Sequence, residues 1–147
     1  MATDRTMSTT WRGTLMEGSG TIHEAGSGAF GPLDVTWASR AEEPDGKTSP
    51  EELLAAAHSA CFSMALSLAL ARAGTPADQL DTSSTVTFVP GTGITKIAVT
   101  VRGSVTGIDE AAFVAAAEGA KVGCPVSKAL AGVPEMTLDA SLVPAPG

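Results

Sequence analysis

The stretch Ser49-Pro50-Glu51-Glu52-Leu53-Leu54-Ala55-Ala56-Ala57-His58-Ser59-Ala60-Cys61-Phe62-Ser63-Met64-Ala65-Leu66-Ser67-Leu68 decides how this chain can fold. Ser49 is an N-cap, Pro50 suits the first helical position, and Glu52 stands where a capping box needs an acid. The pattern predicts a helix running to about Ala73, stopped by Gly74 and Pro76. Such a helix has about 24 residues and spans about 36 Å. Its apolar residues, among them Leu53, Leu54, Ala57, Cys61, Met64 and Leu68, fall nearly all round the cylinder, whereas a surface helix needs only a stripe. A chain of 147 residues does not easily cover such a helix alone, which argues for burial against a second copy in a homodimer.

Working outward, residues 8–17 alternate as a strand, Gly18-Ser19-Gly20 is a turn, and Thr21-Ile22-His23-Glu24 begins the partner strand. Residues 33–38 read as a third strand and 42–47 as an exposed turn. Beyond the long helix, 82–89 and 94–105 alternate with period two and are joined by Pro90-Gly91-Thr92-Gly93. Residues 109–122 read as a helix with Asp109 as N-cap, broken by Gly123. Residues 124–131 form a short second helix, and 135–143 close the sheet. The expected class is α+β: one domain over 1–147, with an antiparallel sheet and its helices on one face.

Composition narrows the function classes. Hydrophobic residues make up 44% and charged residues 17%, so the chain is globular. A net charge of −7 disfavours nucleic acid and anionic membrane as partners, since both need a basic face. His58, Ser59, Ser63, Ser67 and Arg72 interrupt the long apolar run, which favours a core helix over a membrane span. Met1-Ala2-Thr3-Asp4-Arg5 lacks the apolar segment of a secretory signal, so a cytoplasmic location is expected. In that reducing compartment a transient or catalytic disulfide is more in keeping than a structural one.

The two cysteines sit in contrasting settings. Cys61 lies in the apolar helix, where a thiol most often serves as a small buried hydrophobe and needs a nearby cation to become reactive. Cys124, in Gly123-Cys124-Pro125-Val126-Ser127-Lys128, precedes a helix start whose free N–H groups favour a thiolate. Local environment alone therefore nominates Cys124 as the more acidic thiol. His58 lies one turn before Cys61 and reads chiefly as packing. Glu51 and Glu52 are explained by the helix dipole alone, and Arg40 by itself says nothing. The spacing of Cys61, Cys124, His23 and His58 matches no metal-site pattern.

The segment from Ser49 to Leu68 resembles the osmotically inducible protein C (OsmC) family. So do Gly93-Ile94-Thr95-Lys96-Ile97-Ala98, Gly107-Ile108-Asp109 and Ala120-Lys121-Val122-Gly123-Cys124-Pro125-Val126-Ser127-Lys128. The likeness spans nearly the whole chain. Ala57-His58 and Phe62-Ser63-Met64-Ala65-Leu66 place it nearer the OsmC branch than the organic hydroperoxide resistance (Ohr) branch. The resemblance implies an intertwined homodimer with two active sites at its interface. It implies a thiol-dependent peroxidase acting on organic hydroperoxides, and more weakly on hydrogen peroxide, without metal, flavin or haem. Cys61 would be the peroxidatic cysteine and Cys124 the resolving one, with an external dithiol as reductant. The family's arginine falls on Arg40, with Arg12 as the alternative, and its glutamate falls on Glu51. Ten helical residues separate Glu51 from Cys61 by about 15 Å, so Glu51 would have to act across the dimer. The alternatives on the same fold are a non-enzymatic thiol redox sensor and an apolar-ligand-binding protein.

Overall fold

A computed structural model describes residues 1–144. The chain forms two compact units, Met1–Leu53 and Leu54–Gly147. The first unit is a three-stranded antiparallel sheet in the order β1 (Thr9–Arg12), β2 (Ser19–Ile22), β3 (Leu33–Val35). Gly20, in the central strand, lies under the Trp11 ring and beside Val35, where a Cβ would meet both side chains within 3 Å. The third strand stops at Val35 instead of continuing to Ala38, because Thr36 caps a short helix, α1 (Trp37–Ala41). Thr36 Oγ1 accepts from the Ser39 N–H at 3.0 Å, and Ser39 Oγ accepts from the Thr36 N–H at 2.9 Å. That closed capping box puts Arg40 on a helix, where the sequence had placed it in a strand-to-loop passage.

The long helix α2 runs from Pro50 to Arg72 without interruption. Ser49 Oγ accepts from the Glu52 N–H at 3.1 Å, and the Glu52 carboxylate accepts from Thr48 Oγ1 at 2.7 Å. The helix ends at Arg72, and Gly74 just beyond it has φ +83°, a left-handed conformation that glycine adopts without strain.

The second unit is built on β4 (Ala77–Val89), β5 (Gly93–Val105) and β6 (Glu135–Leu142), in that order. β4 and β5 form the expected antiparallel hairpin, with β4 beginning five residues before the alternation of 82–89 shows itself. β6 departs from the all-antiparallel expectation and pairs with β5 in parallel. The reason lies in the connection: α3 (Glu110–Gly123) and α4 (Pro125–Ala129) carry the chain back along the sheet, the crossover a parallel pair requires. The Asp109 side chain accepts from the Ala112 N–H at 2.8 Å and starts α3 as predicted.

One face of this sheet holds the core. Ile97, Val99 and Val101 of β5 are buried together with Phe62, Leu66 and Leu70 of α2 and Phe113, Ala117 and Ala120 of α3. His58, Phe62, Leu66 and Leu70 recur every fourth residue and are all 0–1% exposed, so α2 contributes a narrow ridge to this core. Elsewhere the helix is open: Met64 is 72% and Leu68 50% exposed. The full-circumference apolarity read from the sequence thus meets only partial cover within the chain.

Gly103 permits the closest approach of α3 to the sheet. A Cβ there would clash with Cε1 and Cζ of the fully buried Phe113 ring. Gly103→Ala should therefore destabilise the protein by about 1–3 kcal/mol through overpacking. Denaturant unfolding checks this, and trimming the ring in Gly103→Ala/Phe113→Leu should recover part of the loss.

Candidate active site

Two clusters collect the residues singled out from the sequence. In the first unit, Ser39 Oγ donates to the Thr48 carbonyl at 2.9 Å and the Thr48 N–H donates to the Asp34 carbonyl at 3.0 Å. These bonds fold the acidic loop back on α1 and bring Arg40 to the start of α2. Arg40 Nε donates to Glu51 Oε1 at 2.6 Å and to Oε2 at 3.2 Å. Arg40 Nε thus reaches both oxygens of the carboxylate. Glu51 is buried and Arg40 half-buried. A carboxylate this far out of water needs its cation: removing the guanidinium would strand a buried charge at a cost of about 3–5 kcal/mol. Arg12, the alternative, is exposed at the end of β1.

In the second unit, packing α2 and α3 on the same sheet face brings Cys61 to Cys124. Both are free thiols, near enough for each to act on the other's ionisation. Cys124 is fully buried; Cys61 is half-buried, more open than its apolar sequence context predicts. Cys61 lines a cavity of about 680 Å³ together with Met64, Ala65, Leu68, Ala120 and Pro125. Its walls are mostly apolar, a surface suited to hydrocarbon, with Arg72 the charged residue among them.

The two sulfurs differ in acidity as the sequence anticipated. Burial works against the Cys124 thiolate, but the neighbouring Cys61 thiol and the polar groups of Ser127 and Val126 at the start of α4 outweigh it. The Cys124 pKa therefore lies below the ordinary thiol value. Burial pushes the Cys61 thiol up, and so does the neighbouring Cys124; the Val126 backbone opposes them only partly. Among the described residues no cation helps to ionise Cys61.

His58 and Ser127 complete the cluster. His58 Nε2 lies 2.7 Å from Ser127 Oγ, with both residues buried. Sequence reasoning gave His58 a packing role and passed over Ser127. The signal for Ser127 was its position three residues after Cys124, the spacing at which an N3 side chain turns back to the N-cap.

The OsmC-like protein family model matches residues 43–139. The chain is 42% identical over 135 residues to the peroxiredoxin OsmC of Escherichia coli strain K12, covering 90% of this chain and 92% of that protein. The crystal structure of an organic hydroperoxide resistance protein OsmC from Legionella pneumophila superposes with a TM-score of 0.66 at 25% identity, covering 92% of this chain and 96% of that one. The organic hydroperoxide resistance protein OhrB of Bacillus subtilis superposes with a TM-score of 0.62 at 25% identity, covering 94% and 98%. With its long helix, its cysteine pair and a match across nine-tenths of its length, the chain belongs to the OsmC-like protein family.

Proposed function

We propose that this protein is a thiol-dependent peroxidase that reduces organic hydroperoxides, and hydrogen peroxide more weakly, with Cys61 as the attacking thiol and Cys124 as the resolving one. The observation that carries the reading is the juxtaposition of the two free thiols, one lining a largely apolar cavity and one fully buried. The names of the relatives, a peroxiredoxin and hydroperoxide resistance proteins, point to the same chemistry.

Cys61 as thiolate attacks the distal peroxide oxygen; the O–O bond breaks, the alkoxide takes a proton and leaves as alcohol, and a sulfenic acid remains on Cys61. The Cys124 sulfur then attacks Cys61, forming a disulfide and releasing water. An external dithiol returns the pair to thiols by exchange. The largely apolar walls beside Cys61 favour hydroperoxides with hydrocarbon tails.

The first step needs Cys61 ionised, and the influences on it within the chain run the other way. Arg40, held by Glu51, is the cation that reverses this. Glu51 and Cys61 are separated by ten residues of unbroken helix, about 15 Å along the axis, so Arg40 and Glu51 serve the Cys61 of a second copy. The open face of α2 supplies the contact. Covering a side chain such as Met64 or Leu68 is worth about 1.5–3 kcal/mol when complete. By length and composition α2 could also cross a membrane, with mean hydropathy 1.7 over its most apolar window. We assign its cover to protein, because the same helix also drives a fully buried ridge into its own core. The protein is then a soluble, cytoplasmic homodimer.

Turnover of cumene hydroperoxide with dithiothreitol tests the roles. Cys61→Ser should abolish consumption, and Cys124→Ser should reduce about one equivalent per site rapidly and then recycle slowly; sustained turnover by Cys61→Ser would falsify the assignment. Subunit complementation tests the shared site. Arg40→Met/Glu51→Gln removes the ion pair as a unit, and this chain should be inactive alone. Mixed with the inactive Cys61→Ser chain, it should recover about a quarter of wild-type activity, because half the dimers then hold one intact site. No recovery on mixing, with heterodimers verified by native mass spectrometry, would place the activating arginine on the same chain as its cysteine.

A further inference from the structure

Behind the thiol pair lies a buried polar chain that the mechanism above leaves unused. His58 is completely buried and sits in register with Phe62, Leu66 and Leu70, where a leucine would continue the apolar ridge. A polar group in such a place costs about 1–3 kcal/mol unless its hydrogen bonds are met. Only one of its ring nitrogens is met: Nε2 lies 2.7 Å from Ser127 Oγ, while Nδ1 has no partner among the described residues. Ser127 stands three residues after Cys124, in the first turn of α4, and its polar groups are among the influences that lower the Cys124 pKa.

The direction of the chain follows from counting protons. Burial lowers the His58 pKa, so the ring is neutral and carries a single N–H. Placing that proton on Nδ1 would bury an unpaired donor, whereas placing it on Nε2 leaves only a bare lone pair, and orphaned buried donors are the rarer of the two. Nε2 therefore donates to Ser127 Oγ. The Ser127 hydroxyl proton is then left available to Cys124, three residues back at the start of the same helix.

We propose that His58 and Ser127 are positioning residues for disulfide formation: the buried bond from His58 Nε2–H to Ser127 Oγ ties the α2 segment that carries Cys61 to the α4 turn that follows Cys124, and so aims the resolving sulfur at Cys61. The proposal rests on the peroxidase reading above. In the step it governs, the Cys124 thiolate donates an electron pair to Cys61 Sγ, and the S–S bond forms as the S–O bond of the sulfenic acid breaks. The departing hydroxide takes up the equivalent of the proton that Cys124 had released, giving one disulfide and one water. Cys124 is oxidised and the Cys61 sulfur is reduced from the sulfenic to the disulfide level. Neither His58 nor Ser127 has a part in the peroxide step.

The two chemical steps can be timed separately in the full-length reduced protein. After one equivalent of cumene hydroperoxide, rapid quenching into dimedone followed by mass spectrometry counts thiol, trapped sulfenic acid and disulfide. Ser127→Ala, which removes one oxygen and leaves the helix intact, should oxidise Cys61 at the wild-type rate but form the disulfide about tenfold more slowly, so that trapped sulfenic acid accumulates. His58→Leu should behave in the same way. A Ser127→Ala disulfide rate within about twofold of wild type, below the worth of one buried hydrogen bond, would overturn the proposal. So would an equal slowing of both steps, the mark of a merely structural defect. Failure of the wild-type protein to form any sulfenic acid would instead overturn the peroxidase reading.

Discussion

Cys61 and Cys124 arrive from unrelated parts of the chain, the middle of α2 and the joint between α3 and α4, and β5 is what makes their sulfurs meet. Ile97, Val99 and Val101 present one continuous apolar face. Phe62, Leu66 and Leu70 of α2 press on that face, and so do Phe113, Ala117 and Ala120 of α3. Each helix is fixed by burial, a non-directional force, yet the outcome is directional. Gly103 lets the Phe113 ring sit against the strand, and the joint that ends α3 delivers Cys124 to the helix carrying Cys61. The site is thus a consequence of core packing, and mutations that shift the core act on the chemistry without touching a sulfur.

The elements of this fold were largely legible because their signals are local. Ser49 and Pro50 opened α2, Asp109 opened α3, and strict alternation marked β4 and β5. What escaped was decided by contacts distant in sequence. The parallel pairing of β6 depends on where α3 and α4 leave the chain, which no window of residues encodes. The early start of β4 is enforced by its pairing with the far end of β5, against the polar run Asp78-Gln79. Helix α1 was missed for a different reason: its capping box uses Ser39 at N3 in place of the usual Glu or Gln.

The candidate site divides along the same line. Glu51 and Arg40 were nominated by resemblance, and their pairing at 2.6 Å is a tertiary fact, set by the bonds of Thr48 to Asp34 and Ser39. The greater acidity of Cys124 was readable from Gly123-Cys124-Pro125 at a helix start, although burial opposes it and the polar groups of Cys61, Ser127 and Val126 are what prevail. His58 looked like packing because its neighbours on the ridge are all apolar. Only the contact with Ser127 gives it a polar task.

These acidities carry a consequence for how the two steps of a peroxidase cycle are divided. Within one chain the surroundings make the Cys61 thiol harder to ionise than usual and the Cys124 thiol easier. That is the right distribution for closing a disulfide once Cys61 is a sulfenic acid, and the wrong one for attacking a peroxide. A chain on its own is thus prepared for resolution and not for the first attack. Moving the charge to Cys61 takes an added cation close to that sulfur; in the proposed function that cation is the half-buried guanidinium of Arg40, held in place by a buried carboxylate. If a second copy delivers it, assembly itself becomes the activating event: an unpaired chain keeps its accessible sulfur protonated and slow to react, and reactivity appears only where the open face of α2 is covered.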